Sequence, residues 1–338
     1  MKQLRIIGLA ASFLLSALLT MAGCGGPAGG PTAAASKPQD HKTPVTLALK
    51  FVPGDSTAYR VIRETGKGVE WKGPESGKPK NFTGGHSGSR IEMAFTQQVQ
   101  STDGSGNGTV KITVTELKYL AKIKDQVNLD FDSSREKDRG TPLGKLIGQS
   151  YTIELTPSGQ VSKVIDAAEA RAAVAGESVL NKTAANLLAD ASIKELHALG
   201  GLPAPGKDQL RAGESWSNIE SFSFDLMGAK AYEKVYTLEG VQNAGNRRVA
   251  VAKMKAVPSA EMAKELHKEQ SDAFSNMFDN TETFTGELKL DLTKGQVQQW
   301  NETLRTEWFI VDPNPKDPQE PAALRMTATR LHSAERIE

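Results

Sequence analysis

Ile91-Glu92-Met93-Ala94-Phe95-Thr96-Gln97-Gln98-Val99 leads to Asp103-Gly104-Ser105-Gly106-Asn107-Gly108 and then to Val110-Lys111-Ile112-Thr113-Val114. Apolar side chains at Ile91, Met93 and Phe95, and again at Val110, Ile112 and Val114, alternate with polar ones. Successive side chains of a strand point to opposite faces, so each run predicts a half-buried strand. The residues between them reach positive φ cheaply or bond their own backbone, which predicts a hairpin.

The same alternation recurs on both sides of this hairpin. It is present at Val45, Leu47, Leu49 and Phe51, at Tyr151, Ile153 and Leu155, and at Phe222, Phe224 and Leu226. It returns at Tyr236 and Leu238, at Val249 and Val251, and at Leu288, Leu290 and Leu292. Gln242 to Asn246 is a second hairpin turn of the kind found at 103–108. Leu155-Thr156-Pro157-Ser158-Gly159-Gln160-Val161 and Leu292-Thr293-Lys294-Gly295-Gln296-Val297 read as one hairpin written twice. Gly54-Asp55-Ser56 and Gly213-Glu214-Ser215 each precede a strand. These landmarks, in the same order in each half, predict a degenerate duplication.

Helical periodicity is confined to Ala167–Ala175, to Lys182–Leu199 and to Ser259–Phe278. Gly200-Gly201 and Pro203 to Gly206 end the second of these. The expected class is mainly β with a few helices (α+β): two similar curved antiparallel β-sheet units, 44–165 and 207–338, joined by a helical linker at 166–206. The helix at 259–278 belongs to the second unit.

The chain begins differently. Lys2 and Arg5 precede an apolar run from Ile6 to Leu19, a charged n-region followed by an h-region. The run holds roughly 14 residues, against about 20 for a membrane-spanning helix. Met21-Ala22-Gly23-Cys24 then resembles the bacterial lipobox, small residues before an obligatory cysteine. The resemblance implies a signal peptide at 1–23, diacylglycerol on the thiol of Cys24, and cleavage before Cys24 with acylation of the new terminus. Two or three acyl chains, at about 0.8 kcal/mol per buried methylene, make such an anchor lasting. Gly25 stands where Asp would favour inner-membrane retention, which favours the outer membrane in a Gram-negative cell. Residues 24–43, rich in Gly, Pro, Ala, Ser and Thr, read as a flexible tether.

Cys24 is the only cysteine, so no disulfide braces the exported part and its stability must come from a core. The 41 basic and 40 acidic side chains nearly cancel, and a leader carrying Lys2 and Arg5 but no acid takes the balance to about minus one. Such a balance excludes an electrostatic footprint for nucleic acid.

The motifs that carry chemistry are incomplete. Gly85-His86-Ser87-Gly88-Ser89 begins like a nucleophile elbow but lacks the closing Gly, and its glycines predict a loop. Ser134-Arg135-Glu136-Lys137 has the S-x-x-K spelling, yet no K-T-G follows, and it reads as a solvated turn. The five histidines are scattered, with no pair at metal-ligand spacing. Asp130, Asp132, Ser134, Glu136 and Asp138 alternate like early calcium ligands, without the loop's glycine and its final Glu. His197 and His267 fall among Lys and Glu on expected helices, on solvated faces. Trp71, Trp216, Trp300 and Trp308 read as core anchors before stacking platforms.

No catalytic residue, cofactor site or metal site is therefore assigned, and Cys24 is the one assigned site, for lipid attachment. The two-repeat arrangement resembles a family of bacterial envelope lipoproteins, and by pattern alone it is similar to lipoprotein carriers with half-barrel folds. The implied role is non-enzymatic: a membrane-anchored protein that binds an apolar ligand or an envelope protein partner. The alternative is an envelope hydrolase whose site is assembled from sequence-distant residues.

Overall fold

The alternating stretches form long antiparallel strands. The computed structural model describes residues 43–224, 227–259, 279–311 and 323–337. Cys24, His267, Leu226 and the helix expected at 259–278, apart from its first residue, lie outside them.

The strands are β1 (Val45–Thr46), β2 (Ser56–Lys72), β3 (Gly85–Thr102), β4 (Gly108–Ile123), β5 (Gln126–Asp132), β6 (Ser150–Leu155) and β7 (Val161–Asp166). They continue with β8 (Gln209–Leu210), β9 (Ser215–Ser223), β10 (Ala229–Ala244), β11 (Arg247–Pro258), β12 (Asp279–Asp291), β13 (Gln296–Val311) and β14 (Ala323–Ile337). Apart from the small pair β1–β8, they make one sheet in the order β7-β6-β4-β3-β2-β14-β13-β12-β11-β10-β9, with β5 beside β4. The first and last long strands, β2 and β14, pair antiparallel from Lys72↔Ala323 to Ala58↔Ile337, so the halves of the chain meet in mid-sheet.

The sheet curls. Five strand spacings separate β9 from β14, roughly 24 Å in a flat sheet at about 4.8 Å per strand. Yet the Arg330 guanidinium of β14 lies 4.7 Å from the ring centre of Phe222 on β9. The concave face is the one that carries Tyr236, Leu288, Trp300 and Ala334, and these belong to one continuous core.

The turns behave as their sequences predict. In the β3–β4 hairpin Asp103 Oδ1 accepts from the amides of Ser105 and Asn107, at 2.8 and 2.9 Å, and Gly106 takes φ +81°. A local arrangement also occurs twice. Gly54 N donates to Val99 O and Val99 N to Asp55 O, while Gly213 N donates to Leu238 O and Leu238 N to Glu214 O. The ladder skips one residue immediately after Val99 and again immediately after Leu238.

The linker is not a spacer between two bodies. It forms α2 (Ala168–Ala173), α3 (Val179–Leu187) and α4 (Asp190–His197), following the short α1 (Glu136–Arg139). Ala170, Val174, Ala184, Leu188, Ile193 and Leu196 join the core of the sheet, and α4 packs on β7 and β2. The single helix expected over 182–199 is two. Ser178 caps α3 four residues earlier than its apolar stripe suggests, accepting from Asn181 N at 3.1 Å. Arg171 then reaches from α2 to cap Leu188 O with Nε and Nη2, at 3.0 and 2.9 Å, where α3 stops.

Val45 to Phe51 keeps its alternation of burial, but only Val45–Thr46 joins a ladder. Beyond it, Leu49 N donates to Pro157 O and Lys50 N to Gly295 O. The segment thus ties together the two hairpin turns that the sequence writes twice.

Candidate functional site

The concave face is ordered in rows by the strand register. One row sets Glu302 of β13 between His332 of β14 and Gly286 of β12, with Arg63 of β2 beyond His332. The next sets Leu304 between Arg330 and Phe284, with Thr65 beyond Arg330; then come Thr306, Ala328 and Lys67; then Trp308, Met326 and Val69. Polar groups crowd the first row. Apolar ones dominate the last.

Around the first row, and reaching into the next through Lys234, runs a charged belt with a buried centre. Lys234 is 3% exposed and Glu302 7%. The Lys234 ammonium lies 3.0 Å from both carboxylate oxygens of Glu302 and 2.6 Å from Glu220 Oε2. Tyr236 OH donates to Glu302, and Trp300 Nε1 donates to Tyr236 OH at 3.2 Å. Gly286 leaves the space that Glu302 needs, because a Cβ there would sit 3.2 Å from its Cγ. Gly200-Gly201 seals the belt from the helical side. Trp216 Nε1 and Asn218 Nδ2 donate to the carbonyls of Gly201 and Gly200, and a Cβ on Gly201 would come within 2.8 Å of the Trp300 ring.

These surroundings set the protonation of the belt. Burial acts to lower the Lys234 pKa, but Glu302 and Glu220 outweigh it and raise it, keeping the amine charged. Burial lifts the Glu302 carboxyl above its usual range against the pull of Lys234. Burial, helped by the Arg63 charge, pulls His332 down to about 3, and its Nε2 has no hydrogen-bond partner among the described residues. His197 is also pulled down to about 3, by burial first and then by His332. It does not lie on the solvated face expected for it. It points into the core, with Tyr151 OH 2.6 Å from Nε2 and its ring edge-on to Phe95.

Above the belt lies a cavity of about 500 Å³. Its apolar lining is Val69, Phe224, Met227, Trp308, Met326 and Ala328; Lys67 and Arg330 supply its charged side chains, and Thr65, Ser87, Ser223, Thr327 and Thr329 its hydroxyls. Trp308 is 3% exposed and meets the Phe224 ring edge-on at 5.3 Å. Lys230, 5.7 Å from the Trp308 ring centre, is paired at 3.0 Å with Glu282. Burial alone would raise the Glu282 carboxyl; bonds from Lys230, Tyr232 and Asn280 hold it below its usual range. None of the belt residues Lys234, Glu302, Tyr236 and His332 lines this cavity. A second void, about 40 Å³, lies between the Leu49–Phe51 segment and Tyr59, Phe95 and His197. It has room for a few waters at most.

The residues singled out in the sequence do not converge. His86 to Ser89 lie in strand β3 and not in a loop, held because Gly85 starts the strand opposite Val69. His86 faces Glu70 and Asp125, at 3.1 and 3.4 Å. Arg135 consumes the acids of the 130–138 turn, binding Asp130 at 2.9 Å and Asp138 at 2.7 Å, and Asp132 accepts from Ser134. That turn is therefore tied down, with Asp138 buried, and not simply solvated. Among the described residues no group of three or more His, Cys, Asp and Glu is placed to hold a metal ion. Trp216, Trp300 and Trp308 are buried as core anchors, and Trp308 also walls the cavity.

No protein-family model matches the chain, and no curated protein matches it. Among solved structures, one described as "lipid-protein interactions in lipovitellin" aligns with a TM-score of 0.41 and 10% identity, covering 86% of this chain and 26% of that chain. Pseudomonas aeruginosa OpdQ aligns with a TM-score of 0.16 at 8% identity, over 84% of this chain and 98% of that one. Acinetobacter baumannii OccAB3 aligns at 0.14 and 9% identity, over 82% and 99%. Scores this low do not establish a shared fold.

Proposed function

We propose that this is a non-enzymatic envelope lipoprotein, tethered to a membrane through Cys24, whose curled sheet holds an apolar ligand in the cavity beside Trp308. The observation that carries this reading is the cavity. Its volume of about 500 Å³ falls within the roughly 300–1,000 Å³ typical of small-molecule sites. Like those sites, it presents more apolar than polar surface and has polar side chains among its lining. An enzyme would need its titratable groups where a substrate reaches them. Here, among the described residues, Lys234, Glu302 and Tyr236 are bonded to one another and lie under Gly200-Gly201, and none of them lines the cavity.

We also read the two halves of the sheet as a degenerate duplication meeting at β2 and β14. Its support is the repeated pair of bonds at Val99 and Leu238, each followed by the same one-residue skip in the ladder.

The test is native mass spectrometry of residues 38–338, produced in a bacterial envelope, before and after denaturing extraction. These residues form one compact unit, and every residue of its described core lies between Val45 and Ala334. A discrete lipid-sized adduct lost on extraction supports the reading. A clean unliganded mass, together with no uptake of added fatty acid, overturns it.

A further inference from the structure

We infer that the ligand of this cavity is an amphiphile with an anionic head, a carboxylate or a phosphate, and that Arg330 is the group that binds the head. This rests on reading the cavity as a ligand site. It adds the chemical class of the ligand and its orientation.

Arg330 sits where the two halves of the concave face meet. On its own strand His332 lies on the belt side, Ala328 and Met326 on the cavity side. Its guanidinium carbon lies over the Phe222 ring, 4.7 Å from the ring centre, a cation–π contact that holds the head of the side chain beside the cavity without using its N–H donors. Those donors make no hydrogen bond or ion pair with any described residue. Three acids of neighbouring strands are engaged elsewhere: Glu302 and Glu220 by Lys234, Glu282 by Lys230 and Tyr232. The described residues around the cavity include no carboxylate at all.

An arginine with unanswered donors beside a largely apolar chamber is matched by a ligand that brings its own anion, because the fork suits carboxylate and phosphate oxygens. The hydrocarbon part would then run from Arg330 along Ala328 and Met326 towards Trp308 and Val69. Fatty acids supply one such head and phospholipid-derived chains the other; the shared requirement is the anion.

The test is calorimetric titration of residues 38–338 with decanoate, decyl phosphate and decanol, which share one chain length and differ in the head. The wild type is expected to bind one or both anions at least tenfold more tightly than decanol, and the favoured anion identifies the natural source. Arg330→Met is expected to bind decanol as the wild type does and to lose the preference for the anions. Arg330→Lys, which keeps the charge but not the fork, should keep part of it. Equal binding of all three by the wild type, or an undiminished preference in Arg330→Met, overturns the role of Arg330 while leaving the cavity as a ligand site. No binding of any of the three overturns the cavity reading itself, and this inference with it.

Discussion

The ammonium of Lys234 on β10 lies 3.0 Å from both carboxylate oxygens of Glu302 on β13, in a core that exposes almost nothing of either side chain. Removing one partner strands the other charge away from water, a loss of about 3–5 kcal/mol in comparable buried pairs. Lys234→Met and Glu302→Met are each expected to destabilise on that scale in urea unfolding. The double variant should be destabilised by clearly less than the sum. Additive losses would mean that the two side chains do not act as a pair.

A buried histidine, His197, and a partly buried one, His332, give the fold a pH dependence of definite sign. His197 and His332 have a folded pKa of about 3, against an ordinary value of 6.5. Above pH 6.5 both states hold them neutral. Between pH 6.5 and 3 the unfolded chain takes up protons that the folded chain refuses, so stability falls on acidification. Glu302, raised by burial, acts in the opposite direction. The histidine contribution is therefore read as a difference: the His197→Gln, His332→Gln double variant should lose less stability than the wild type between pH 6.5 and 4.5, above the main carboxylate range. Parallel curves would show that the histidines titrate normally.

Gly201 is packed where a methyl group has no room, 2.8 Å from a Trp300 ring that is itself 1% exposed. Gly201→Ala is expected to destabilise by about 1–3 kcal/mol, as overpacking of a tight core does. A red shift of tryptophan emission should accompany it as the seal over the belt loosens. Unchanged stability and emission would place the 200–201 segment off the belt.

Attachment at Cys24 is checked by labelled palmitate. The wild type should incorporate it and fractionate with membranes; Cys24→Ala should incorporate none. Label retained in the variant would rule out this cysteine as the anchor.

The strands were legible because alternation is a local property. Ile91, Met93 and Phe95 announce a buried face whatever lies opposite them, and Asp103 to Gly108 announces the turn. The pairing of β2 with β14 was not legible, since it joins residues more than 250 positions apart and nothing local encodes it. The break between α3 and α4 was hidden for the same reason: the cap on Leu188 comes from Arg171, on another helix. The belt left a signal that can be read afterwards. Lys234 falls between Tyr232 and Tyr236, and Glu302 between Trp300 and Leu304, all at inward positions of their strands. Charges at such positions demand partners. Arg330 obeys the same parity among Ala328, His332 and Ala334. What the sequence could not show is that Phe222, five strands away, would curl over it.

The central claim, that a ligand chain lies beside Trp308, is tested most directly by tryptophan quenching with a brominated fatty acid, comparing the wild type with Trp308→Phe. Saturable quenching in the wild type that falls sharply in Trp308→Phe, with binding affinity preserved, is the result predicted. Quenching of equal depth in both proteins would place the chain elsewhere and contradict the account.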